Sequence, residues 1–464
     1  MPESAATNLE PPPVHPNHYW YRDGMPLRPL PAGHQHLTFY AVAQRRRYLA
    51  PWIPGWRETP RPTPIHDLVA DHMWQGDELM DAVVEDFRRM KTGAGRRLFE
   101  RALDHGIGSI EAPSPALSAL FEQLDTPPAW FDRALWEEGR RCWIDASFAG
   151  KMGMGMQDFI ATYVGTDVSS AVGATGRFVN VWAKRQLESN VWFWNMTKPD
   201  VIDRFSPTFK DVIRVRLMHA QVRAGLRRSW GPEHYERFGE PISNSAMLGG
   251  AITFGLSPLI IDYAHGRRRP PAELEASMWY WNYIAYLMGV TDELLPRSVA
   301  EAMQELDFIA AHAGGATEWT SQMANSGVAA ISQMCGPAGR LFQHSAAPFL
   351  GFVAFYSGEP AVRELIRDTP LRDVRLADWR MVAAVAVNLN IRARATTDHL
   401  PGRRAVMRLR ARSNDPFWRL AVRMIRPVAA DKGVRSTPYD HHDHTPNTPA
   451  GCPIEQAPVQ SANG

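Results

Sequence analysis

Residues 206–226 read SPTFKDVIRVRLMHAQVRAGL, and this stretch predicts a long helix around which the rest of the chain is organised. Ser206 can accept hydrogen bonds from the free backbone N–H groups at the start of a helix. Pro207 suits the first helical position, where its missing N–H costs nothing. Residues at helical spacing form one apolar stripe with a histidine at its centre: Val212, Val215, His219, Val222 and Leu226.

The histidine in this stripe has two interpretations. Most histidines on an apolar helix face are core residues whose ring nitrogens are hydrogen-bonded. Alternatively, the neutral imidazole of His219 is the proximal ligand of a haem iron, held on a helix so that the ring cannot wander. Arg223, one turn further along the same side, would then face a haem propionate or a carboxylate that orients the site. Four polar residues are predicted to face solvent: Lys210, Arg214, Gln221 and Arg228.

A second predicted helix runs from Phe178 to Met196 and ends before Pro199. One face mixes aromatic and polar residues, with Glu188 at its edge: Phe178, Trp182, Arg185, Ser189 and Trp192. The polar groups again have two interpretations. They are a surface ion pair between Arg185 and Glu188, which would contribute only ~0.2–0.5 kcal/mol, or they lie over the distal face of a haem.

The remaining patterns predict an all-α protein, because apolar residues recur at helical spacing and strand-like alternation is nearly absent. We expect a proline-rich, irregular segment over residues 1–64, a helical domain over 65–429 and a disordered tail over 430–464. Residues 131–150 are predicted to form one long helix. The apolar run 247–261 is expected to be a buried helix and turn that is too short to span a membrane.

Composition excludes several classes of protein. The 464 residues carry 51 basic and 49 acidic side chains, a formal charge of +2, so no concentrated basic face indicates a nucleic-acid partner. The three cysteines, Cys142, Cys335 and Cys452, have no Cys-x-x-Cys spacing, which argues against a zinc knuckle and fits a reducing compartment. Without a secretory signal pattern at the N-terminus or a transmembrane segment, the expected location is cytoplasmic.

Four segments together resemble one family, the latex-clearing protein (rubber oxygenase) and MpaB oxygenases. Residues 215–223, VRLMHAQVR, resemble the haem-ligand helix of that family, and residues 171–178, AVGATGRF, resemble its TGR segment. Arg185 and Ser189 lie where the family has an Arg-x-x-x-Thr/Ser pattern on the distal helix. The segment WNYIAYLMGV at 281–290, followed by Leu-Leu-Pro at 294–296, resembles its Trp…Gly-Val…Leu-Leu-Pro segment. The resemblance covers roughly residues 130–400.

This resemblance implies a globin-like helical core with additional helices that holds haem b without a covalent tether. It implies that His219 ligates the iron, that Arg223 helps to bind the cofactor, and that Arg185, Glu188 and Ser189 form the catalytic set. The expected activity is that of an oxygenase that uses O2 on an apolar substrate, an isoprenoid or lipid-like small molecule or polymer; the electron donor stays open. The rubber oxygenases are typically exported, so the absence of a signal pattern is a departure.

The more informative departure concerns Glu188. Rubber oxygenases carry a lysine three residues after the arginine that Arg185 matches, and here that position is Glu188. A lysine can donate a hydrogen bond to bound oxygen, whereas a carboxylate cannot unless it is protonated. A carboxylate beside a guanidinium suits proton transfer, so peroxidase- or peroxygenase-like use of peroxide is an alternative. A haem-binding sensor or carrier without turnover is a third.

Overall fold

The computed structural model describes residues 20–34, 45–53, 63–174, 182–332, 336–399, 401–412 and 415–431. No strand occurs within these ranges, and helices follow one another along the whole described chain. The prediction of an all-α protein is therefore confirmed. The predicted tail lies outside the described residues except for its first two, which end the last helix.

The helices are numbered here in chain order. They are α1 (Pro64–Asp71), α2 (Glu78–Arg89), α3 (Ala94–His105), α4 (Pro115–Asp125), α5 (Arg133–Ile144), α6 (Phe148–Val164), α7 (Thr166–Ala174), α8 (Trp182–Met196), α9 (Pro207–Phe238), α10 (Asn244–Ala264), α11 (Pro271–Leu287), α12 (Val299–Ala311), α13 (Glu318–Ser332), α14 (Gly336–Ser357), α15 (Glu359–Ile366), α16 (Leu376–Asp398), α17 (Arg403–Arg412) and α18 (Pro416–Asp431). Short helical turns lie between them: Ala32–His34, Arg45–Leu49, His72–Trp74, Ile107–Ser109, Pro199–Ile202 and Asp292–Leu294.

Helix α9 begins as predicted. The Ser206 side chain accepts a 2.9 Å hydrogen bond from the backbone N–H of Phe209, and Pro207 occupies the first helical position. The helix then runs on past the predicted stretch to Phe238, with a sharp break at Gly231. There φ is 73° and ψ is −177°, a conformation that glycine adopts readily, and Pro232 follows without a backbone donor.

Two predictions about helix ends were wrong. Residues 131–150 form two helices, α5 and α6, because Ser147 caps a new helix by accepting a hydrogen bond from the backbone N–H of Gly150. The turn expected within residues 247–261 is absent. Helix α10 continues through Pro258 there.

Helix α10 extends beyond the predicted run 247–261 at both ends, and by length and composition alone this longer helix could cross a membrane. It is the one helix of this kind among the described residues. However, 67% of its most apolar 18-residue window is buried inside the protein. It packs against α6, α11 and α12, as the core helix of a folded domain does.

Glycines on α6 let neighbouring helices approach closely. A Cβ atom at Gly150 would collide with the backbone of Pro258 on α10, and one at Gly153 would collide with the ring of Tyr356 on α14. The missing side chains at these two positions therefore permit a close approach between helices. Helix α6 therefore lies between α10 and α14 near the centre of the core.

Asp145, at the junction of α5 and α6, ties distant parts of the chain together. Its buried carboxylate accepts hydrogen bonds from Arg267 and Arg269, which lie between α10 and α11, from Arg394 on α16 and from Arg410 on α17, at 2.7–3.1 Å. Burial opposes ionisation, but these four guanidinium groups outweigh it and lower the pKa of Asp145 to about 2. This charge anchors the C-terminal helices to the domain.

Glu305 on α12 should make stability fall as pH rises. It is fully buried, and neither of its carboxyl oxygens has a hydrogen-bond partner among the described residues. Burial and the nearby Glu301 raise the pKa of Glu305 well above its usual value, so the folded state retains a proton that the unfolded state releases. As pH rises from the usual glutamate pKa toward the raised value of the folded state, the wild type should therefore lose up to about 1.4 kcal/mol of stability per pH unit relative to Glu305→Gln, which cannot ionise.

Urea unfolding of both proteins across this pH range measures the difference. Glu111→Gln, at an exposed glutamate, is the control and should follow the wild type. Parallel curves for wild type and Glu305→Gln would contradict the prediction.

Candidate active site

One large cavity runs through the helical domain, with a volume of about 1540 Å³. Ordinary small-molecule pockets are roughly 300–1,000 Å³, so this space can hold more than one ligand. Its walls come from α6, α8, α9, α10, α14 and α18, and they are mostly aromatic, aliphatic and methionine side chains. Among the described residues, the charged and histidine side chains of the wall are few: His34, Arg88, Arg96, Asp158, Arg185, His219 and Arg228.

His219 on α9 borders this cavity without a hydrogen bond to any described residue. Its Nδ1 atom is buried and has no partner, which does not fit the interpretation of a core histidine with satisfied nitrogens. Burial, followed by the positive charges of Arg223 and Arg185, lowers the pKa of His219 to about 3. The imidazole is therefore neutral near pH 7, and neutral imidazole is the form that ligates a metal.

Buried ion pairs fix α9 against α2. The guanidinium of Arg216 is held by both carboxylate oxygens of Asp77, at 2.6 and 2.8 Å. Asp81 accepts hydrogen bonds from Arg223 at 2.8 Å and from Arg227 at 2.9 Å. These pairs fix the rotation of α9 about its own axis, and in that rotation Val215, His219 and Val222 border the cavity.

Arg223 is not part of the cavity wall. Besides Asp81, it donates a 2.8 Å hydrogen bond to the carbonyl oxygen of Ile242. The sequence offered two partners for this side chain, a haem propionate or a carboxylate of the protein. In the structure the partner is the protein carboxylate of Asp81. Its role in cofactor binding stays a prediction. Gln221 and Arg228, expected to face solvent, both contribute to the cavity wall.

The predicted distal residues on α8 divide into two groups. Arg185 and Ser189 border the cavity together with Trp182 and Trp192, whereas Glu188 is not among the wall residues. One carboxylate oxygen of Glu188 lies 3.8 Å from an Nη atom of Arg185, and both side chains are largely buried. Arg185 therefore both pairs with Glu188 and borders the cavity. Phe178 lies outside the described residues.

Sequence reasoning missed Asp158 on α6. Its carboxyl group lines the cavity, and burial raises its pKa to about 7, against the opposing positive charge of Arg185. A group that titrates near neutral pH can both accept and release a proton. The available signal was a single charge, next to Gln157, inside a run from Met152 to Phe159 that is otherwise methionine, glycine and phenylalanine.

The described residues contain no group of three or more His, Cys, Asp or Glu side chains that could hold a metal ion. A metal bound at His219 would therefore need most of its ligands from elsewhere. A porphyrin meets that requirement, because its ring supplies four nitrogen ligands and leaves an axial position for one imidazole.

Comparison with known proteins identifies the family. The family model described as "ER-bound oxygenase mpaB/B'/Rubber oxygenase, catalytic domain" matches residues 140–388, more than half of the chain. The chain belongs to this family. The matched region contains α8 and α9 with Arg185, Ser189 and His219, and it ends within α16, before α17 and α18.

A solved structure shares the fold of this family member. The structure titled "Structure of Latex Clearing Protein LCP in the closed state" superposes with a TM-score of 0.51 at 18% sequence identity, covering 82% of this chain and 94% of that one. At this identity the likeness shows a common helical fold and nothing finer. A comparison with curated protein sequences gives no match. Membership of the family shows that the protein is an oxygenase of the MpaB and rubber oxygenase type.

Removing the carboxylate that holds α9 should destabilise the protein strongly. Asp81→Asn leaves Arg223 and Arg227 buried with one negative charge fewer, a kind of change that costs about 3–5 kcal/mol. Urea unfolding measures the loss. Glu85→Gln, on the same helix, breaks only the exposed pair with Arg88 and should cost less than about 1 kcal/mol. Equal losses in the two variants would mean that the α2–α9 ion pairs do not hold the helix in place.

Proposed function

We propose that this protein is a haem b-dependent oxygenase that acts on an apolar, isoprenoid or lipid-like substrate, with His219 as the proximal iron ligand. One observation carries the proposal: the neutral imidazole of His219, whose buried Nδ1 has no hydrogen-bond partner among the described residues, borders a large apolar cavity, whereas His72, which also lacks such partners, does not. A buried polar atom without a partner costs about 1–3 kcal/mol, so a ligand for the ring is the simplest reason for such a position.

The residues present fit haem. His219 offers one axial nitrogen, and α9 is held by ion pairs that prevent the ring from turning away. Haem, when bound, would supply the oxygen chemistry, while the chain supplies the axial ligand, a dry cavity and a few polar groups. Arg223 does not touch the cavity, and its charge helps to keep His219 neutral.

The substrate class follows from the cavity wall. Aromatic and methionine side chains such as Phe254, Trp192 and Met247 dominate it, and charged groups are few. Burial of apolar surface contributes about 25 cal/mol per Å², which favours long apolar molecules, while a charged metabolite would lose its hydration without compensation.

Proton transfer in the cavity falls to Asp158 in this proposal. Its carboxyl group is poised near neutral pH, and Arg185 stabilises its ionised form. Ser189 offers a hydroxyl that can donate or accept a hydrogen bond. Glu188, behind Arg185, acts by orienting that guanidinium. Relative to the lysine of the rubber oxygenases, Glu188 therefore removes a positive charge from the site, and its own carboxylate does not become part of the cavity wall.

The same pair of groups favours peroxide as a second candidate oxidant. A carboxyl group with a pKa near 7 beside a guanidinium suits proton shuttling, which a peroxygenase needs. Measuring whether O2 or hydrogen peroxide is consumed with a long-chain isoprenoid separates the two enzymes. Consumption of neither would leave a haem carrier without turnover.

His219→Gly should abolish haem binding, because it removes the only axial nitrogen offered by α9. The purified variant should lack the Soret band of the wild type, and added imidazole should restore the band by occupying the vacated position. His265→Gly is the control, since His265 is hydrogen-bonded to Asn388 and lies off the cavity wall. A wild-type spectrum in His219→Gly would return His219 to the role of a core histidine.

Asp158→Asn and Arg185→Ala should each slow turnover while haem content stays near that of the wild type. Groups that transfer protons typically contribute 10²–10⁴-fold, so a loss of about that size is expected. With Asp158 as the base, the wild-type rate should rise with pH through about 7, where the carboxylate forms, and Asp158→Asn should lose that dependence.

The measurement is the steady-state rate across pH, with a long-chain isoprenoid as substrate and whichever oxidant the wild type consumes. Glu188→Gln, which keeps the length of the side chain behind Arg185, should have the smaller effect. Unchanged rates in both Asp158→Asn and Arg185→Ala would exclude these two residues from the reaction.

A further inference from the structure

Helix α16 is apolar on two opposite faces, but only one of them is covered. Its buried face packs mainly against α14. At 100° per residue, a second set of side chains points the other way. A helix that is apolar all round is normally covered all round. The second set is exposed to 53–67%: Met381, Val382, Val385 and Leu389.

The two helices that follow continue this surface and add positive charge. Exposed apolar side chains are Val406 and Leu409 on α17, and Leu420 and Met424 on α18. Between Arg403 and Arg426 the sequence has one acidic residue, Asp415, which is buried and paired with Lys151. Six exposed arginines have no ion-pair partner among the described residues: Arg404, Arg408, Arg412, Arg419, Arg423 and Arg426.

Each of these three helices contacts the junction of α5 and α6. Arg394 on α16 and Arg410 on α17 both pair with Asp145. Asn390 on α16 accepts a 3.0 Å hydrogen bond from the backbone N–H of Ala149. The ring of Phe417 on α18 contacts that of Phe148, with the ring centroids 5.0 Å apart. The exposed apolar and basic residues of these three helices, which are all anchored at this junction, are called the C-terminal surface below.

The cavity opens at this surface. Four large apolar side chains line the cavity and are also exposed to solvent, so they form one open edge of it: Phe148, Phe349, Leu420 and Met424. Two of them lie on α18, and Phe148 begins α6. An apolar molecule that enters here would pass directly from the C-terminal surface into the cavity.

We propose that the C-terminal surface binds an anionic lipid bilayer and that the cavity takes its substrate from the lipid. Apolar side chains flanked by unpaired arginines are the pattern of helices that lie in a membrane interface. A second copy of the chain is the less suitable occupant, because a two-fold contact would bring the same arginines together with no exposed acid between Arg403 and Arg426 to balance them. The substrate-entry part rests on the proposed function, whereas lipid binding does not.

The test is flotation of the full-length protein with vesicles of phosphatidylglycerol or of phosphatidylcholine. The protein should bind phosphatidylglycerol vesicles, bind phosphatidylcholine vesicles much more weakly, and bind less as salt rises. A triple variant on α17 should lower partitioning of the protein onto phosphatidylglycerol vesicles on the order of 100-fold, or about fivefold for each arginine: Arg404→Gln/Arg408→Gln/Arg412→Gln. Met381→Ser/Val385→Ser/Leu389→Ser should lower it by at least about tenfold.

The control removes three charges elsewhere. Lys91→Gln/Arg97→Gln/Arg101→Gln changes exposed basic residues on and before α3, and it should bind vesicles as the wild type does. All variants alter exposed positions, so each should keep the wild-type circular dichroism and unfolding temperature. If the control loses binding as strongly as the α17 variant, general charge and not this surface is responsible, and the proposal fails.

Two further results would overturn the proposal. One is absence of binding to phosphatidylglycerol vesicles. The other is a dimer in analytical ultracentrifugation that the triple serine variant of α16 converts to monomer, while no variant changes vesicle binding. The surface would then be an interface between two copies of the chain. Vesicle binding is measured without substrate or turnover, so its failure leaves the haem oxygenase proposal standing. Loss of haem in His219→Gly should in turn leave vesicle binding unchanged.

Discussion

The buried ion pairs between α2 and α9 are the constraint on which the site depends. Arg216 with Asp77, and Arg223 and Arg227 with Asp81, set the rotation of α9 about its own axis. Because successive residues on a helix are 100° apart, a small change in that rotation would move His219 away from the cavity. Breaking a buried pair by removing one partner leaves an uncompensated charge in the core, so the helix has one favourable orientation.

The same burial acts in opposite directions on the two titratable groups of the cavity. Loss of hydration disfavours any charged form, so it lowers the pKa of His219 to about 3 and raises that of Asp158 to about 7. Arg185 lowers both values, because its charge repels a protonated imidazole and stabilises an ionised carboxylate. A neutral imidazole and a carboxyl group that titrates near neutral pH therefore arise from one environment.

The C-terminal helices depend on a different charge. Asp145 binds arginines from the α10–α11 connection, α16 and α17, and so attaches α17, which lies outside the family match, to the matched domain. This attachment uses only part of the basic side chains of α17. Arg410 turns inward to Asp145, while Arg404, Arg408 and Arg412 remain exposed next to apolar residues. One helix thus contributes both to the internal anchor and to the C-terminal surface.

The sequence by itself determined the helices, the capped start of α9, the apolar stripe with His219 at its centre and the polar residues on α8, because caps and periodicity are local properties of the chain. It did not reveal the break at Ser147, since a serine inside a helical pattern caps a helix only where the chain must turn. Periodicity shows which residues share a face of a helix but not what that face meets. Only the tertiary structure could place Asp158 in the cavity, Arg223 against Asp81 and Glu188 behind Arg185, and leave one apolar face of α16 uncovered. Each of these depends on contacts between residues far apart in the chain.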